Sequence, residues 1–174
     1  MPSPSPPGGR RILTYGHAIL RKPTRPVANF DGDLDRLIDD MVATMYAAPG
    51  VGLAANQVGS PLRLFVANPS EDHDPSKLLV VINPELVEAD GALVTEEGCL
   101  SIPDFREEVR RARRVLVRGL DRAGRPIQVE GEGLLARIFQ HELDHLNGVL
   151  FVDRLSPAKR DIMVRKLRKT FRDR

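Results

Sequence analysis

His141-Glu142-Leu143-Asp144-His145 puts two imidazoles four residues apart with a carboxylate beside them, the H-E-x-x-H arrangement. In a helix this spacing brings both rings to one face, where they can share one divalent metal, and Glu142 is then placed to handle a proton from water at that metal. The plainer reading is an exposed helix with an ordinary Glu–His pair. Leu134 and Ile138 argue against it, because they give the same stretch an apolar face that a solvated run of charge does not need.

A catalytic divalent metal usually takes three protein ligands and keeps one position open. No Glu or His follows His145, so the downstream Glu or His ligand of many H-E-x-x-H proteases has no counterpart, and Asp153 and Asp161 stand as carboxylate candidates on that side. Upstream the candidates are His17, His73, Cys99 and many carboxylates. Cys99, the single cysteine, cannot form an internal disulfide. It stands in Thr95-Glu96-Glu97-Gly98-Cys99-Leu100-Ser101, a polar setting that suits a ligand better than a buried structural thiol.

A third stretch, Gly50-Val51-Gly52-Leu53-Ala54-Ala55-Asn56-Gln57-Val58-Gly59, is built for close backbone approach, and Gln57 adds an amide that both donates and accepts. It lacks the Lys-Ser/Thr of a phosphate-binding P-loop and the spacing of a dinucleotide fingerprint. Taken alone it reads equally well as a tight turn.

These groups need elements to hold them. Leu34, Leu37, Ile38, Met41, Val42, Met45 and Tyr46 recur at helical spacing, with Asp31 or Asp33 as N-cap and Pro49 as terminator. Short aliphatic runs follow at 62–67, 78–82, 86–87, 92–94, 115–117 and 127–129, separated by Asn68-Pro69, Asn83-Pro84 and Ala123-Gly124-Arg125-Pro126, and they predict mostly antiparallel strands. Leu134, Leu135, Ile138, Phe139, Leu143 and Leu146 predict a second helix that carries the metal motif and stops at Gly148. The resulting expectation is an α+β fold: short strands packed around a central metal-binding helix, with an N-terminal helix and a basic C-terminal helix.

A chain of 174 residues, 41% hydrophobic and 29% charged, can build one soluble core. Residues 1–10, rich in Pro, Ser and Gly, are expected to form a flexible tail, and 11–174 a single catalytic domain. No apolar run approaches the roughly 18 to 20 residues of a membrane span, and the start has no secretory h-region, so a cytoplasmic protein is expected. The net charge of +2 gives no argument for sequence-specific DNA binding. Residues 157–174, however, hold eight basic residues against two acidic ones, with Met163, Leu167 and Phe171 as a narrow apolar stripe. That segment reads either as a solvated terminal helix or as a docking element for phosphate-rich RNA.

Taken in order, Gly50 to Gln57, Glu97-Gly98-Cys99-Leu100-Ser101 and Gln140 to His145 resemble the three signature motifs of the peptide deformylase family, and the likeness runs from about Ile12 to Arg154. The resemblance implies a metal-dependent hydrolase of a linear amide, removing the N-formyl group from the formyl-methionine of nascent polypeptides and releasing formate. It implies Cys99, His141 and His145 as ligands of one divalent ion, Fe(2+) natively, with Zn(2+), Ni(2+) or Co(2+) able to replace it. A soft thiolate suits such ions and is prone to oxidation. It further implies Glu142 as general base and then acid, and Gln57 with the Leu100 backbone N–H as donors to the oxyanion. Gly50, Val51 and Gly52 would pair with the peptide as with an added strand, and Val51, Leu134 and Ile138 would line a pocket for the methionine side chain. It also implies that the C-terminal helix docks on the ribosome. His17-Ala18 departs from the family pattern, away from these residues.

Two other readings compete: a small metallopeptidase using His141, Glu142 and His145, and a non-enzymatic module with a structural metal and an RNA-binding tail. Neither uses the glycine-rich and Cys99 motifs together.

Overall fold

Asp31 opens the first helix, α1 (Gly32–Ala47), by accepting a hydrogen bond from the Leu34 N–H at 3.0 Å, which satisfies one of the donors a helix start leaves unpaired. Leu34, Leu37, Ile38, Met41 and Met45 form its buried stripe, and the helix ends before Pro49 as the sequence predicts. The computed structural model describes residues 8–172. Most of the expected flexible tail, residues 1–7, lies outside the described residues. Arg10 is already fastened to α1, its N–H donating to Thr44 Oγ1 at 2.8 Å and its guanidinium pairing with Asp40 at 3.0 Å.

Seven strands follow: β1 (Gly52–Ala54), β2 (Leu64–Ala67), β3 (Leu79–Asp90), β4 (Leu93–Cys99), β5 (Ile102–Arg111), β6 (Arg114–Leu120) and β7 (Pro126–Glu132). They form a five-stranded sheet in the order β1-β2-β3-β6-β7 and a two-stranded sheet β4-β5, and every strand pair is antiparallel. The chain ends in α2 (Leu134–Leu146), a 3-10 turn (Phe151–Arg154) and α3 (Pro157–Phe171). None of these helices is long and apolar enough to cross a membrane.

The strand boundaries differ from the sequence reading in three places. Asn83-Pro84 does not separate two strands, because β3 absorbs it as an irregularity between Ile82 and Glu85. Asn83 takes the left-handed conformation there, and its side chain bonds both backbone groups of Val27, at 2.8 and 3.1 Å, so the kink is held from outside the sheet. Gly52–Ala54 is a strand rather than a turn, and it begins with a glycine that propensity places elsewhere. β5 was hidden by its composition: of ten residues only Ile102, Val109 and Arg111 are buried, and apart from Phe105, which packs against Phe171, most of the others are polar and exposed or half-buried.

Three apolar clusters surround the metal-motif helix. α1 packs with β1 and β2 around Met41, Leu53 and Val66. α2 lies across the five-stranded sheet, where Phe139 meets Phe65 at a ring separation of 5.7 Å. α3 buries Met163, Leu167 and Phe171 against Ile102, Val109, Phe151 and Val152. α2 is thereby enclosed between the sheet and the β4-β5 hairpin, and its motif face points to the hairpin turn.

Candidate metal centre

The i, i+4 spacing on α2 does what the sequence predicts: the Nε2 atoms of His141 and His145 stand 3.2 Å apart. Cys99, at the end of β4 where the hairpin turns, brings its Sγ to 3.2 Å from His145 Nε2. The ligand atoms of Cys99, His141 and His145 all lie within 4.8 Å of one another, the one such His/Cys/carboxylate group among the described residues. Three of the other candidates have partners elsewhere. His17 Nδ1 accepts from the Ile19 N–H, His73 stacks on Tyr46, and Asp153 pairs with Arg21.

The donor set fits a divalent metal. A sulfur and two imidazole nitrogens converge in a buried space, an arrangement that a cation relieves and that neutral groups crowd. The surrounding charge favours a cation as well: burial works against a proton on His141, yet its hydrogen bonds to Cys99 and Glu97 raise its affinity for one. Burial and the proximity of His141 push His145 the other way, toward the neutral ring a metal requires.

Behind the histidines lies a charged network that inspection of the sequence missed. His141 Nδ1 is 2.9 Å from Glu97 Oε1, which fixes that ring from the side away from Cys99. Glu97 in turn accepts from Arg111 Nε and Nη2, both at 2.9 Å, and Arg111 Nη1 reaches Asp144 Oδ2 at 2.6 Å. Burial alone would raise the Glu97 pKa, but His141 and Arg111 hold it at about 2, so the carboxylate is ionised near neutral pH. Glu97 lay beside Cys99 in the quoted motif and Asp144 inside the helix motif, whereas nothing local marks Arg111. Its partners are brought together only by the hairpin and α2.

Glu142 is almost fully buried, and burial pushes its carboxyl up to about 7, a range suited to exchanging a proton near neutrality. Gly52 faces it: a Cβ there would lie 2.8 Å from Glu142 Oε2 and 3.0 Å from Ile138 Cγ2. Gln57 is buried, with Oε1 accepting from the Ala54 N–H at 2.9 Å and Nε2 donating to Ser101 Oγ at 3.1 Å, 3.8 Å from Cys99 Sγ. Leu100 lies in the hairpin turn against Gly50, where an added Cβ would come within 2.7 Å of Leu100 Cδ1. All three sequence motifs therefore meet at one place. Ile138 is buried beside Gly52, while Val51 and Leu134 are 43% and 41% exposed.

Residues 9–161 match the family model described as polypeptide deformylase. The peptide deformylase of Desulfosudis oleivorans is 52% identical over 159 residues, covering 91% of this chain and 92% of that one. The crystal structure of a peptide deformylase from Legionella pneumophila superimposes with a TM-score of 0.87 at 50% identity, covering 94% of this chain and 96% of that one. The Met-Ala-Ser bound structure of a class I type b peptide deformylase from Acinetobacter baumannii gives a TM-score of 0.79 at 38% identity, covering 84% and 98%.

Proposed function

The chain belongs to the polypeptide deformylase family, and on that premise we propose that this enzyme removes the formyl group from formyl-methionine at the N-terminus of nascent polypeptides, releasing formate and a free amine. The observation that carries the reading is the convergence of Cys99, His141 and His145 with Glu142 facing Gly52 of an edge strand. A divalent ion held by those three residues, ferrous iron with zinc, nickel or cobalt as substitutes, supplies Lewis acidity that polarises a carbonyl and acidifies water.

The chain's own groups account for the rest. Glu142 takes the proton from the attacking water and returns it to the departing amine. The Gln57 amide and the Leu100 backbone N–H donate to the formyl oxygen as it becomes negative. β1 lies at the edge of its sheet with β2 on one side, so Gly50, Val51 and Gly52 can pair with an extended peptide without selecting its later side chains. Val51, Leu134 and Ile138 line the side on which the methionine would enter. The tripeptide held by the Acinetobacter relative also begins with methionine.

The test is formate release from a formyl-Met dipeptide by protein prepared anaerobically with Fe(II), beside the Glu142→Ala variant. Release that falls by orders of magnitude in the variant supports the reading. Metal-loaded protein that releases no formate but cleaves unformylated peptides overturns it in favour of the peptidase.

We further propose a cytoplasmic enzyme that docks on ribosomal RNA through the outer face of α3. The apolar stripe of that helix is consumed by the core, while Arg165, Lys166, Arg168 and Lys169 are exposed. Reversing the charge of Arg165, Arg168 and Lys169 should weaken co-sedimentation with ribosomes, increasingly so with salt. Unchanged binding would sink this partner. Deleting the helix would be a poorer test, since it removes part of the core.

A further inference from the structure

The network behind His141 does not end at Asp144. Arg154, the last residue of the 3-10 turn Phe151–Arg154, grips the same carboxylate from outside, with Nη2 2.7 Å from Oδ1 and Nε 3.1 Å from Oδ2. Asp144 is buried, whereas the Arg154 side chain is half exposed. The order is therefore Arg154, Asp144, Arg111, Glu97, His141, alternating in charge from the surface to the metal motif.

The charge count explains why an outer arginine is needed. Glu97 and Asp144 are two buried carboxylates, and Arg111 is the one guanidinium lying between them. Arg111 presents two parallel N–H groups to Glu97 and only one to Asp144. Left alone, Asp144 would compete for that two-pronged edge, because a buried carboxylate short of partners is costly. Arg154 satisfies Asp144 from the other side. The same turn touches the site a second way, through the Phe151 ring 6.3 Å from that of His141.

We propose that Arg154 is a positioning residue for the metal centre: by holding Asp144 it keeps Arg111 committed to Glu97, and Glu97 to His141, so that His141 is presented to the metal in one orientation. The inference rests on the reading that Cys99, His141 and His145 hold a metal. It concerns retention of the ion, a property separable from turnover.

The experiment loads the full-length protein with Co(II) and follows its visible absorption and its rate of loss to EDTA. The forms compared are the wild type, Arg154→Leu, Arg154→Lys, Asp144→Asn, the double variant Arg154→Leu/Asp144→Asn, and Arg160→Leu. Arg160 forms an ion pair with Asp153 in the same turn, and Asp144 is not its partner, so its variant reports any loosening of the turn itself. Arg154→Leu is expected to speed loss up to about ten-fold and to shift the absorption, because it frees Glu97, the group that directly holds the His141 ring, to move. Arg154→Lys should recover part of the loss, the double variant should lose metal no faster than Asp144→Asn, and Arg160→Leu should behave as the wild type. Equal rates for Arg154→Leu and the wild type would overturn the inference alone, as would an Arg160→Leu variant as leaky as Arg154→Leu. If Asp144→Asn fails to fold, the contrast of Arg154→Leu with Arg154→Lys and Arg160→Leu decides. A wild type that binds no Co(II) would overturn both the inference and the metal reading beneath it.

Discussion

At the scale of single residues, the centre is set by what is small as much as by what is reactive. Gly52 leaves no room for a Cβ between the Glu142 carboxyl and Ile138, so Gly52→Ala must displace one of them. Because reacting groups misplaced by an ångström cost on the order of 10² in rate, we expect kcat/KM to fall by about that factor, with metal content and melting temperature close to the wild type. Steady-state kinetics alongside thermal unfolding checks both halves. Gln57 divides its labour: Oε1 holds the Ala54 N–H, and Nε2 is the group assigned to the oxyanion. Gln57→Glu retains the acceptor and the size while removing the donor. Its kcat is expected to drop by at least about 10², and activity within a few-fold of the wild type would remove Gln57 from the mechanism.

At the scale of elements, α2 is bounded at both ends by glycines. Gly133 and Gly148 take positive φ, at 57° and 76°, and the N–H groups of Gly148 and Val149 close the last turn on the carbonyls of His145 and Asp144. Gly148 is also pressed against the chain start, since a Cβ would sit 2.6 Å from the Arg21 carbonyl oxygen. Gly148→Ala therefore combines a left-handed strain with a backbone clash, and a loss of about 1 to 3 kcal/mol is expected in denaturant unfolding. An unchanged midpoint would show that the chain before α1 yields freely. The β4-β5 hairpin is the complementary element: it delivers Cys99, Leu100 and Ser101 at its turn and Glu97 and Arg111 along its length.

At the scale of the whole molecule, α3 belongs to the fold and is more than a charged appendage. Leu167 is fully buried among Ile102, Phe151 and Val152, the last two on the turn that carries Arg154. Leu167→Ala should cost about 2 to 5 kcal/mol of stability, whereas substitutions at exposed Arg165 or Lys169 should stay within about 0.5 kcal/mol. Melting curves of the three variants test this division. A Leu167→Ala protein as stable as the wild type would return α3 to the status of a solvated tail.

The sequence by itself determined the candidate ligands and two helices: the spacing of His141 and His145, the choice of Cys99, and the periodicities of α1 and α2 each follow from local rules that tertiary context did not override. It also carried the family, through three motifs in order. Only the tertiary structure decided that Gly52 lies on an edge strand against Glu142, that Asn83-Pro84 is a bulge within β3 rather than a break, and that β5 is a strand at all. It likewise decided that Glu97, Arg111, Asp144 and Arg154 form one network, although Arg111 and Asp144 are 33 positions apart. The physical reason is the same in each case: pairing across strands and the satisfaction of buried charge depend on partners remote in the chain, and no local pattern of residue types encodes a partner that folding has yet to bring close.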